Sequence, residues 1–152
     1  MLQWLGEAAS QAPRFSAELC IALAAAASAL AWHQTYTADE IDRGFLDRYG
    51  WCELAGGRGV LEADRIACGF LLLGPETLYP AHRHEAEELY LPLSGSAFWQ
   101  QSDRPWQQQP PGTLIRHASL EPHAMRTSSE PLLALYLWRG AGLAAGSRLD
   151  LS

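Results

Sequence analysis

An all-β fold, a small antiparallel barrel or jelly roll carrying α-helices at its N-terminus, is what this chain of 152 residues predicts. Three observations carry the prediction. From Trp51 onward the apolar residues fall into short or alternating runs cut by Gly and Pro, the pattern of many short strands joined by tight turns. Before residue 50 the apolar spacing is helical instead. A hydrophobic content of 48% over this length supports one well-buried core and leaves too little chain for two ordinary domains. Residues 1–50 are therefore expected as a helical segment packed on a barrel formed by 51–152, a single domain overall.

In chain order, Phe15, Leu19, Leu23, Ala26 and Leu30 recur at steps of four and three, an amphipathic stripe, with Ser16 as N-cap ahead of Glu18. Thr37-Ala-Asp-Glu40 has the form of a capping box. Ile41, Phe45 and Tyr49 share one face behind it and Gly50 stands as a stop, so a second helix is expected over about 38–49. Strands are expected at 51–55, 59–62, 65–73, 76–82, 87–93, 96–101, 113–117, 122–127 and 131–138. Gly56-Gly57, Gly74-Pro75, Ser94-Gly95, Asp103-Arg-Pro105, Pro110-Pro111-Gly112 and Ser128-Ser-Glu130-Pro131 punctuate them. Gln107 to Gln109 reads as a polar loop. In the run from 87, Glu88 and Tyr90 take one face while Leu89, Leu91 and Leu93 take the other. In the last run Ala134, Tyr136 and Trp138 oppose Leu133, Leu135 and Leu137.

A formal charge of -6 and a pI near 5.3 argue against nucleic-acid or anionic-membrane partners, which an acidic surface repels. Cys20, Cys52 and Cys68 are odd in number and widely spaced, which suggests neither a disulfide framework nor a zinc knuckle and favours a reducing, cytoplasmic setting. The apolar run from Cys20 to Trp32 is preceded by Glu7 and Glu18 and by no basic opening, unlike a signal peptide, and it is too short to span a bilayer. The helices are expected to stay in place, packed on the barrel or on a second copy as a homodimer.

His82 and His84 sit two apart, so on an extended strand both point to one face, as two ligands of one ion must. Glu88 and Tyr90 repeat that spacing. If the two pairs occupy neighbouring strands around a concave face, they suit a divalent transition metal, and the set accepts Zn, Fe, Mn, Co or Ni. His117 and His33 lack partners at useful spacing and read as structural. Glu85 and Glu87 read as a solvated loop edge, with Glu87 replacing Glu88 if the register slips by one.

Gly74, His82-x-His84, Glu88 and Gly95 resemble the first motif of the cupin superfamily. Pro111-Gly112 followed by Pro122-His123 resembles its second motif in a loosened form without the usual terminal Asn. Within the cupins, His82-Arg-His84-x-x-x-Glu88-x-Tyr90, Pro122-His123-Ala-Met-Arg-Thr127 and Leu132-Leu-Ala-Leu-Tyr-Leu-Trp138 resemble the bacterial dimethylsulfoniopropionate lyases of the L and Q types, over about residues 70–140. The resemblance implies that His84, Glu88 and His123 hold one divalent metal, with His82 in or beside its first shell. It implies that Tyr90 is a general base and that Tyr79 and Trp138 line the substrate pocket.

The implied substrate is a small zwitterion with a carboxylate at one end and a dimethylsulfonium at the other, cleaved to dimethyl sulfide and acrylate. Three or four mixed N and O ligands leave open positions on an ion, as catalysis needs. Aromatic faces hold a sulfonium by roughly 0.5 to 2 kcal/mol per ring, and Trp138, Tyr79, Trp99 and Tyr136 are available. Tyr90 remains open as base, ligand or hydrogen-bond partner of Glu88, and Trp138 as core or substrate contact. Two rival functions use the same ligands: a cupin metal dioxygenase, which oxygen dependence separates, and a non-catalytic metal-binding cupin sensor, which needs no base.

Overall fold

Twelve strands and three helices account for the ordered backbone of the computed structural model, which describes residues 1–150. The helices are α1 (Gln3–Ser10), α2 (Ala17–Ala26), extended by a 3-10 turn over Ala27–Ala29, and α3 (Arg43–Leu46). The larger sheet runs β1 (Trp32–His33), β2 (Tyr49–Gly56), β4 (Ile66–Leu73), β11 (Leu132–Arg139), β6 (Glu87–Ser94), β9 (Ile115–His117), with β3 (Leu61–Glu62) paired parallel to β2. The smaller sheet runs β12 (Arg148–Leu149), β5 (Leu78–Arg83), β10 (His123–Thr127), β7 (Ala97–Gln101), β8 (Gln107–Gln109). All other pairings are antiparallel. The fold is a barrel of two facing, almost wholly antiparallel sheets with small N-terminal helices, mostly β as the turn spacing predicts.

Strand alternation sorts the apolar residues into two cores. Leu71, Tyr90 and Tyr136 of the larger sheet meet Tyr79, Trp99 and Met125 of the smaller one inside the barrel. On the outer face of the larger sheet, Cys52, Phe70, Leu72, Leu93 and Leu133 pack against Leu5 and Ala8 of α1 and Cys20 and Leu23 of α2. Strand β2 shows the division well: Tyr49 and Trp51 point inward, while Cys52 and Leu54 face the helices. Two hydroxyls tie this layer to the barrel backbone, Ser16 donating to the Leu93 carbonyl at 2.6 Å and Ser94 donating to that of Ala8 at 2.5 Å. Truncating the buried Leu23 to Ala should therefore lower the unfolding free energy by about 2–4 kcal/mol, measured by denaturant titration.

Several expectations are corrected. Helix α1 has no counterpart in the predicted elements. The predicted stripe is rotated, because Phe15 and Leu19 are exposed while Cys20 and Leu23 are buried. Ser16 precedes α2 without capping it, its hydroxyl being spent on Leu93. The helix expected over 38–49 shrinks to α3. Glu40 does bond back to the Thr37 amide and hydroxyl, but around a single turn, and Asp42 then starts a new helix by accepting from the Phe45 amide at 3.0 Å. Tyr49 and Gly50 belong to β2. Gln107–Gln109 is not a loop but β8, paired edge-on with Ala97 to Trp99. At the turn after β6, Gly95 has φ +75, and a side chain there would run into the Pro131 carbonyl.

Candidate active site

Cross-strand register builds the site in rows. Across β11, β6 and β9, Trp138 stands opposite Glu88 and Glu88 opposite His117. The next row toward the barrel interior holds Tyr136, Tyr90 and Ile115. The facing sheet sets His123 on β10 opposite His82 on β5, with His84 just beyond the end of β5. Imidazoles from one sheet thus meet a carboxylate from the other. His82, His84, Glu88, His117 and His123 are all buried, each at 4% exposure or less.

Hydrogen bonds decide the tautomers. Nδ1 of His82, His84 and His123 lies 2.9 Å from the carbonyl of Pro80, Ala86 and Glu121 respectively. A carbonyl only accepts, so each Nδ1 carries a proton, and the neutral form of each ring presents its lone pair at Nε2. Nε2 of His84 lies 3.0 Å and Nε2 of His123 3.2 Å from the same Glu88 Oε2. Three acceptors facing one another in a buried site need a cation between them, a proton or a metal. The ligand atoms of His84, Glu88 and His123 all lie within 4.8 Å of one another, and backbone carbonyls fix the imidazoles from behind as metal-binding histidines require. The donor set fits a divalent transition metal. His82 stands at its margin, its ring stacked on Tyr79 at 3.8 Å and 4.2 Å from His123.

Burial alone would raise the Glu88 pKa, but protons on Nε2 of His123 and His84, donated to Oε2 and carrying their charge, hold it well below the usual carboxylate range. Trp138 completes the carboxylate's cradle: its indole N–H donates to Glu88 Oε1 at 2.6 Å and its ring packs 4.2 Å from His84. Trp138→Phe keeps the ring and deletes that donor, so divalent-metal affinity should fall by about 10- to 100-fold in a chelator competition titration. Tyr90 is buried, and its pKa is pushed well above 10, first by burial and then by the Glu88 charge. Tyr79 is held by the hydroxyls of Tyr36 and Tyr49 at 3.1 and 3.4 Å. Trp99 lies in the barrel core 6.0 Å from Tyr90, its N–H without a partner. Tyr136 lines the cavity together with Trp138, Tyr90 and Tyr79.

Two residues outside the predicted set stand here. His117 stacks on His123 at 3.9 Å, nearly parallel. Its Nδ1 accepts from the Gln101 amide at 3.2 Å, an amide nitrogen that also donates to the Arg116 carbonyl, so His117 is the opposite tautomer with a buried N–H at Nε2 and no partner. Spacing gives no hint of it, since its neighbour Glu88 is set by register. Glu53, 6% exposed, lines the same cavity from β2 with Trp51. Its parity with Tyr49 and Trp51 was the available signal. Glu87 instead binds Arg139 on the outside at 2.7 Å, so the register has not slipped, and Glu85 is exposed. His33 packs on Trp51 at 4.8 Å, away from the cluster.

Residues 2–134 match the family model described as dimethylsulfoniopropionate lyase. The chain is 35% identical over 119 residues to the dimethylsulfoniopropionate lyase DddQ of Ruegeria pomeroyi, covering 78% of this chain and 59% of that protein. It is 34% identical over 122 residues to a DddL protein of Cereibacter sphaeroides, covering 79% of this chain and 50% of that one. It thus spans between half and three fifths of the length of these curated relatives. A solved structure from work on the lyases RdDddP and RnDddQII superposes with TM-score 0.90 at 37% identity, covering 99% of this chain and 78% of that one. Cupins of much lower identity share the fold alone.

Proposed function

Since this chain belongs to the dimethylsulfoniopropionate lyase family, we propose that it is a carbon–sulfur lyase that cleaves dimethylsulfoniopropionate by β-elimination to dimethyl sulfide and acrylate. The observation that carries the reading is the buried His84–Glu88–His123 acceptor cluster with Tyr90 on the same interior face of β6. In this reading His84, Glu88 and His123 hold one divalent transition metal, with His82 in or beside its first shell. A bound ion of this kind supplies Lewis acidity that draws electron density from a carboxylate and acidifies the neighbouring C–H.

The chain's own groups do the rest. Tyr90 takes the α-proton; the C–H electron pair becomes the new C=C bond as the C–S bond breaks, and the sulfur leaves with its pair as neutral dimethyl sulfide. No acid is needed on that side. Burial and then the Glu88 charge disfavour the phenolate, so neutralising the Glu88 charge at the site favours ionisation of Tyr90. Tyr79, Tyr136 and Trp138 wall off water and face the substrate, while Trp99 supports Tyr90 from the core.

Among the described residues no helix is long and apolar enough to cross a membrane. A cytoplasmic setting is supported by three free cysteines. Headspace detection of dimethyl sulfide from metal-loaded protein tests the activity, with equal yield expected under nitrogen. No release would reject the lyase, and release of oxidised product only in air would favour a dioxygenase.

A further inference from the structure

The cavity that opens on Glu88 has a second carboxylate. In the larger sheet, β6 carries Glu88 and Tyr90, β11 carries Tyr136 and Trp138, and β2, at the far side of β4, carries Trp51 and Glu53. All six residues line one cavity. Along the sheet the two carboxylates stem from strands three spacings apart, about 14 Å, which inward side chains and the curvature of the barrel shorten. Aromatic faces lie between them.

Glu53 is 6% exposed and has no ion-pair partner among the described residues. Its Oε1 accepts from the Arg58 amide at 2.6 Å, which fixes the side chain without neutralising it. The Arg58 guanidinium also lines this cavity, lying 5.9 Å from the Trp51 ring, but it donates to the Ala144 carbonyl at 2.6 Å and makes no ion pair with Glu53 among the described residues. A carboxylate removed from water without a counter-charge is costly unless a cation joins it.

We infer that Glu53, with Trp51 and Tyr136, is the counter-charge for the cationic head of the substrate, and so the residue that makes this site select onium compounds over neutral ones of the same shape. A methylated onium has no N–H to donate, so it is held by a fixed charge and by aromatic faces rather than by hydrogen bonds. The inference rests on the lyase reading for the orientation of the substrate, with its carboxylate at the Glu88 end and its cation at the Glu53 end.

The test is a calorimetric comparison of two ligands on the metal-loaded protein: trimethylammonium propanoate and its isostere with a quaternary carbon in place of nitrogen. The native protein should prefer the cation, and Glu53→Gln, which can still accept from the Arg58 amide, should reduce that preference at least about tenfold, equivalent to about 1.4 kcal/mol, through weaker cation binding. Unchanged binding of the carbon isostere certifies that the variant is folded. Equal discrimination by both proteins, or equal weakening of both ligands, overturns the assignment. Dimethyl sulfide release is followed in parallel: a native protein that discriminates the pair through Glu53 yet releases none would sink the lyase reading and leave Glu53 as an onium-binding residue.

Discussion

Tyr90→Phe is expected to reduce dimethyl sulfide release at least about a hundredfold, the lower end of what a positioned general base contributes. The substitution keeps the ring among Trp99, Tyr136 and Ile115 and deletes the phenol oxygen assigned to accept the proton. His84, Glu88 and His123 are untouched, so metal content and thermal unfolding should match the parent. The pH profile gives a second check. A base must be deprotonated, so activity should rise with pH through an apparent pKa. Burial and Glu88 push that value up, and cation binding at Glu88 pulls it down. The rising limb should disappear from the residual activity of the Phe variant. Near-normal release with an unchanged profile would pass the role of base to another group, Tyr79 being the nearest phenol stacked on the cluster.

The second large effect is loss of the metal itself. His123→Ala or His84→Ala removes one of the three convergent ligands proposed for the metal, and each should reduce bound metal from about one per chain to a small fraction, abolishing turnover. The ladders of β10 with β5 and β7 are made by backbone groups and survive the change, so circular dichroism should remain that of the parent. Elemental analysis showing full occupancy in both variants would refute the site. His82→Ala tells the margin from the shell: its ring stacks on Tyr79 and His123, and the ligand atoms of the other three residues converge without it.

Much of this was legible in the sequence because strands declare themselves locally. The alternation of Glu88 and Tyr90 with Leu89 and Leu91, and the Gly and Pro between runs, placed nine strands within a few residues of where they lie. Helices were less legible. In α2 nearly every residue is apolar, so no face is marked, and the choice of Cys20 and Leu23 over Leu19 was made by the outer surface of the sheet. At 37–49 two caps compete, Thr37 and Asp42, and local sequence does not say which one the chain obeys. Gln107–Gln109 carries no strand signal at all; it pairs because β7 offers an open edge.

The sequence by itself determined the barrel class, the inward parity of Glu88 and Tyr90, and the His-x-His spacing that puts two imidazoles on one side, since all three depend only on periods of two residues along the chain. Only the tertiary structure decided that His123 meets Glu88, that Trp138 holds that carboxylate, that His117 lies against His123, and that Glu53 shares a cavity with Glu88 and Trp138. Each of those contacts joins residues on different strands, and the register that aligns strands is set by how two faces of a sheet bury their side chains at once, a property of the whole core and not of any one stretch.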